Sequence, residues 1–170
     1  NLSFDHGVQY ISPKSKDFKK YIQNLYKKKI LKTWTGEHLD LTFEKKERNL
    51  KFIGKKANND ICKHQLKNIK QNYFSHINKI VRTKNYWEIT LKNKKKFFFK
   101  SLILTCPYPQ LKKLAKRYLN NRLLKLNIEM QPNITAMLAI RNKKKISINS
   151  IKFKDDILTW AANENSKKRF

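Results

Sequence analysis

The 170-residue sequence carries 40 Lys and Arg against 12 Asp and Glu, a formal net charge of +28, and its length suits one domain or pieces of two. No apolar run approaches the ~20 residues of a membrane helix, two Cys make no disulfide framework, and three Gly leave neither a P-loop nor a G-x-G-x-x-G turn. Such a charge suits nucleic acid or an anionic surface. Lys is nevertheless spread over nearly every segment beside Asn and Ile, as A/T-rich coding produces in any gene, so composition leaves both readings open.

Taken in chain order, "SKDFKKYIQNLYKKKI" sets Phe18, Tyr21, Ile22, Leu25 and Tyr26 on one helical face, with Ser15 as N-cap and Lys on the other face. "LKTWTGEHLDLTFEKKERNLKFIG" alternates around Trp34, Leu39, Leu41 and Phe43 and again at Leu50 and Phe52, which predicts two short strands. A second helix is expected over residues 58–71, with Ile61, Leu66 and Ile69 inward. "FSHINKIV", "YWEITL" and "FFFKSLILTC", separated by polar turns, predict a β-meander. Pro107 and Pro109 stop its last strand, and "QLKKLAKRYLNNRLL" resumes helical spacing through Leu111, Leu114, Tyr118 and Leu119. "NITAMLAIR", "ISINSIKF" and "DILTWAAN" complete the set as strands. The fold class is α+β, or mixed α/β, with no internal repeat.

Cys62 and His64 lack the second ligand pair of a closed zinc site, and no G-x-S-x-G elbow supports a serine nucleophile. Taken singly, His6 reads as a hydrogen-bonded structural histidine, Trp34, Trp87 and Trp160 as packing residues, and Cys106 as a small apolar residue closing a buried strand. The expectation is a cytoplasmic protein without a membrane segment.

Read together, "FDHGVQYIS", Trp34-Thr35-Gly36, "KFIG", "INKIVRTKNYWEI", "SLILTCPYPQ" and "LTWAANENSKKR" fall in an order and spacing that cover essentially the whole chain. The set resembles the renalase-like flavin-dependent oxidoreductases, relatives of the flavin amine oxidases. The resemblance implies a two-domain FAD-dependent oxidase, with residues 1–12 and 54–106 contributing to a Rossmann-type FAD domain and residues 13–53 and 107–170 to a substrate domain with an antiparallel sheet. It also implies that the chain is an internal piece lying between an N-terminal G-x-G-x-x-G unit and a C-terminal flavin-closing segment.

By the same resemblance, His6, Gly7, Val8, Gln9 and Tyr10 line the flavin side of the cleft, Ile77 lies on the strand facing the adenine, and Thr105, Cys106 and Pro107 end the strand beside the phosphates and ribose. Tyr10, Trp160 and Lys167, beside Ser166, form the substrate wall, and no residue is assigned as a certain catalyst or metal ligand. The implied reaction passes a hydride from a small-molecule amine or reduced nicotinamide to FAD, with reoxidation by O2. The chain departs from the family pattern at Lys56-Ala57-Asn58, where Pro-Gly-Met is usual, and at "SKKR", which lacks Pro and Gly. The competing expectation is a basic nucleic-acid-binding module in which Tyr73, Phe97 and Phe99 stack bases. No specific nucleic-acid partner is expected under the flavoprotein reading, which leaves oligomeric state open.

Overall fold

In the computed structural model, which describes residues 4–5, 7–42, 45–46, 50–141, 146–155 and 157–169, Ser15 caps helix α1 (Lys16–Lys27) by accepting the Phe18 N–H at 3.3 Å. Its inward face is narrower than the spacing predicts. Ile22 and Leu25 are buried, Tyr21 is half-buried, and Phe18 and Tyr26 stay exposed.

Four strands follow where two were expected: β1 (Leu31–Thr33), β2 (Glu37–Asp40), β3 (Lys45–Lys46) and β4 (Phe52–Gly54). Gly36, at φ +138°, separates the first two in a conformation that side chains rarely adopt. In β2 the buried positions are His38 and Asp40, whereas Leu39 is half-buried and Leu41 exposed, the reverse of the predicted alternation. The cause is local: His38 bonds to the buried Ser150, and Asp40 accepts the Thr42 N–H and pairs with Lys152 at 3.6 Å, which makes their burial tolerable. Phe43 lies outside the described residues.

Helix α2 (Asp60–Gln65) is less than half the expected length. Ile61 alone among its predicted inward residues packs on the core, while Leu66 and Ile69 remain exposed, and a helix with so little tertiary packing has nothing to prolong it. The meander forms as β5 (Ile77–Arg82), β6 (Trp87–Leu91) and β7 (Lys96–Phe99), antiparallel in that order. Its third strand ends at Phe99, which pairs with the first residue of β6. Leu102 and Leu104 then pack on the core without a ladder, so Cys106, half-buried, closes no strand.

Helices α3 (Tyr108–Ala115) and α4 (Asn121–Leu124) flank a 3₁₀ turn at Lys116–Tyr118. Residues 133–141, expected as a strand, carry none and are exposed. Strands β8 (Ile148–Lys152) and β9 (Trp160–Ala162) close the set. Sheet order is β1-β4, β3-β2-β8-β9 and β5-β6-β7, with β2 and β8 parallel. The protein is therefore mixed α+β with three small sheets.

The chain divides into two compact units, residues 1–70 with 135–170, and residues 71–134. In the first, Ile22, Leu25, Leu31 and Phe52 form the apolar core. In the second, Ile80, Ile89, Leu91 and Ala115 do so, with Leu111, Leu114 and Tyr118 packed against them. No helix among the described residues is long and apolar enough to cross a membrane.

Candidate functional site

The pairing of β1 with β4 brings distant residues together before any side chain is considered. Past the register Thr33↔Phe52, the Trp34 N–H donates to the Lys51 carbonyl at 2.8 Å, and Ile11 exchanges two backbone hydrogen bonds with Phe52 at 2.8 Å each. The 7–12 segment, Trp34 and Lys51 thereby become neighbours.

An aromatic wall stands there. The Tyr10 ring lies 6.2 Å from Trp34 and 6.4 Å from Trp160, tilted against both, spacings typical of favourable aromatic pairs. Two ammonium groups flank it: Lys51 Nζ is 4.2 Å from the Tyr10 ring centroid and Lys167 Nζ 5.1 Å from that of Trp34. Both lysines are only 1% exposed, far from the usual state of that residue.

A polar network holds the wall. Lys167 Nζ donates to Asp5 Oδ2 at 2.7 Å, to Glu164 Oε1 at 2.5 Å and to Gln9 Oε1 at 3.1 Å. Arg169 pairs with the same Asp5 carboxylate and donates to the Gly54 carbonyl at 3.2 Å and to Asn58 Oδ1 at 2.6 Å. Asn58 in turn donates to the Val8 and Gln9 carbonyls at 2.6 and 2.8 Å and accepts the Gly54 N–H at 2.9 Å. Trp34 Nε1 donates to Ser166 Oγ at 2.9 Å. Burial by itself raises the Asp5 carboxyl, but hydrogen bonds from Lys167 and Arg169, aided by their charges, outweigh it and hold the pKa below the ordinary aspartate value.

Gly54 is needed for close approach, since a Cβ there would stand 1.8 Å from the Ala57 carbonyl oxygen. Gly7 is different: a Cβ there would meet nothing within 4 Å among the described residues. Next to the wall, His38 Nε2 reaches the Trp34 carbonyl at 3.1 Å and Nδ1 meets Ser150 Oγ at 2.7 Å. Since a carbonyl only accepts, Nε2 carries the proton. Both residues are buried, so the pair braces β2 against β8 rather than offering an accessible nucleophile.

Of the residues singled out in the sequence, Gly7, Val8, Gln9, Tyr10, Trp160 and Lys167 share this first unit, while Ile77, Thr105, Cys106 and Pro107 belong to the second. His6 lies outside the described residues. Val8 is 65% exposed, and the Gln9 side chain is occupied by the network rather than turned outward. Ile77 is half-buried against the second core, and Thr105 and Pro107 are exposed. Among the proposed base-stacking aromatics, Tyr73 and Phe99 are exposed and Phe97 packs on the second core. Cys62 is exposed, and no group of three or more His, Cys, Asp or Glu among the described residues is placed to hold a metal ion.

Sequence reasoning passed over Asp5, Lys51, Glu164 and Arg169 as site residues and treated Asn58 only as a departure from a pattern. Lys51 had a visible signal, a Lys directly before the apolar Phe52-Ile53 pair. Asn58 had none. No protein-family model matches this chain, and no curated protein does.

Proposed function

We propose that the first unit forms the flavin-side and substrate-side wall of an FAD-dependent oxidoreductase of the renalase-like type, acting on a small molecule. The observation that carries this reading is the convergence of four sequence-distant stretches that bear the resemblance. "FDHGVQY", Trp34-Thr35-Gly36, "KFIG" and "SKKR" are tied to one another through Asp5, Trp34, Gly54, Asn58, Ser166, Lys167 and Arg169.

The residue types present are ones that the ring end of a flavin would use. The partly exposed Tyr10 and Trp160 would offer faces to a planar ring, and the Lys51 ammonium beside Tyr10 would suit a ring system that becomes anionic on reduction. The backbone of residues 7–10 and the Tyr10 side chain would hold that end, with Lys51 the nearest cation to Tyr10. The pyrophosphate end has no glycine-rich turn within these 170 residues. When bound, FAD supplies the hydride acceptor.

The chain's own contribution is placement. Tyr10 and Trp160 orient a substrate against the wall and exclude water from it, and Lys167, its three N–H groups taken by Asp5, Glu164 and Gln9, fixes the wall in place. No side chain in this arrangement has to act as a general base.

The test is expression from the complete coding sequence that contains these residues, followed by FAD titration and absorbance spectroscopy. Stoichiometric flavin is expected, with Trp160→Ala raising KM more than it lowers kcat. A protein that takes up no flavin at saturating FAD overturns the reading.

A further inference from the structure

The second unit has a charge pattern of its own. Residues 71–134 hold fourteen Lys and Arg against two carboxylates, Glu88 and Glu129, and Glu88 is already paired with Lys96 at 2.8 Å. Between β5 and α3 lies a shallow, open depression lined by Lys79, Lys113, Lys116 and Arg117 around the half-buried Leu114 and Leu119, with no acidic residue on its wall. It is open to solvent rather than enclosing, so a ligand there would be held chiefly by charge.

Arg117 sets this depression apart from the general coat of lysine. Its Nη2 donates to the Ile80 carbonyl at 2.7 Å, and its guanidinium lies 5.0 Å from the Tyr118 ring centroid. One donor arm is thus anchored, leaving the other N–H groups of a planar fork at a fixed place. Tyr118 is itself held, its hydroxyl accepting the Arg82 N–H at 2.8 Å and its ring standing edge-on to Trp87 at 4.9 Å. A fixed guanidinium, three mobile ammonium groups and an apolar floor make a complementary surface for several negative charges attached to a small apolar body.

We propose that this depression binds an organic polyphosphate of nucleoside-diphosphate size, its phosphates on Lys79, Lys113, Lys116 and Arg117 and its body on Leu114 and Leu119. The assignment does not depend on the flavin reading, because it uses none of the first unit's residues.

The experiment is calorimetric titration of the full chain at moderate salt with ADP, pyrophosphate, adenosine and a single-stranded oligouridylate. One-to-one binding of ADP is expected, weaker binding of pyrophosphate, and none of adenosine. The triple variant Lys79→Gln, Lys113→Gln, Lys116→Gln should weaken ADP by more than about tenfold, since charge-assisted phosphate contacts are lost. The equally charged control Lys84→Gln, Lys92→Gln, Lys100→Gln should stay within about twofold, as exposed charges elsewhere act only through a screened field. Arg117→Lys, which keeps charge and loses the fork, should weaken ADP by about threefold or more. All substituted side chains are exposed, and unchanged circular dichroism confirms that folding is not the variable. Equal losses in the two triple variants, or oligouridylate binding tighter than ADP, would overturn the proposal.

Discussion

The two units of this chain are built on different principles. Among the described residues, every buried residue of the second core is apolar, namely Ile80, Ile89, Leu91 and Ala115. In the first unit, six polar or charged residues are buried: His38, Asp40, Lys51, Asn149, Ser150 and Lys167. The second is a local meander covered by the helix that follows it, so its contacts come from neighbours in sequence. The first joins the ends of the chain, with Lys167 and Arg169 bonded to Asp5. Buried polar groups are costly unless partnered, so the first unit depends on its hydrogen bonds and ion pairs as well as on its apolar core. The candidate site belongs to that unit.

The contrast can be broken most forcefully at Lys167. Replacing it with Met leaves Asp5 and Glu164 without their shared cation, which should destabilise the first unit by about 3–5 kcal/mol, as for breaking a buried pair. The indole NMR resonances of Trp34 and Trp160 should then shift or broaden while that of Trp87 persists, because Trp87 belongs to the second unit. Ile80→Ala should do the converse. The cavity it leaves costs about 2–5 kcal/mol, and it should perturb Trp87 while leaving the other two indoles in place. Loss of all three resonances together in either variant would show that the chain unfolds as one body.

Gly54→Ala ranks next, at about 1–3 kcal/mol in urea unfolding, as expected for overpacking where a backbone carbonyl must give way. Acid sharpens the comparison further. The Asp5 pKa is lowered in the folded state, so its contribution is complete above the ordinary aspartate value and is lost as pH falls through the lowered one. Stability of the first unit should therefore decline below about pH 4, the range of free aspartate, and Asp5→Asn should be less stable at neutral pH and flatten that decline. The smallest effect belongs to the surface. Ser15→Ala removes the cap of α1 and should cost about 1 kcal/mol, whereas Lys19→Gln, Lys20→Gln and Lys27→Gln together should leave thermal unfolding almost unmoved.

What could be read from sequence follows the same division. The meander and α3 are legible because apolar spacing there matches burial: Ile89 and Leu91 alternate on β6, and Leu111 and Leu114 repeat on α3. In the first unit the rule fails where polar residues go inside. Alternation pointed Leu39 and Leu41 inward, yet His38 and Asp40 hold those positions because Ser150, Trp34 and Thr42 satisfy them. The members of the site that were legible, Tyr10, Trp160 and Lys167, came from motif resemblance. Asp5, Asn58 and Arg169 act through contacts more than 50 residues apart in sequence, a distance over which no periodicity carries information. Residues 133–141 show the opposite failure. Their composition is strand-like, yet they form no strand and stay exposed, because composition alone does not make a ladder.

The central claim is that the Tyr10, Trp34 and Trp160 wall belongs to a flavin site. The most direct measurement is the visible absorbance spectrum of the protein purified from its complete coding sequence, taken before and after dialysis against excess FAD. The account predicts flavin bands that survive gel filtration and are lost or distorted in Lys51→Met, the cation nearest the Tyr10 ring. A folded protein that stays colourless after dialysis, or one whose flavin spectrum is indifferent to both Lys51→Met and Tyr10→Ala, would contradict it.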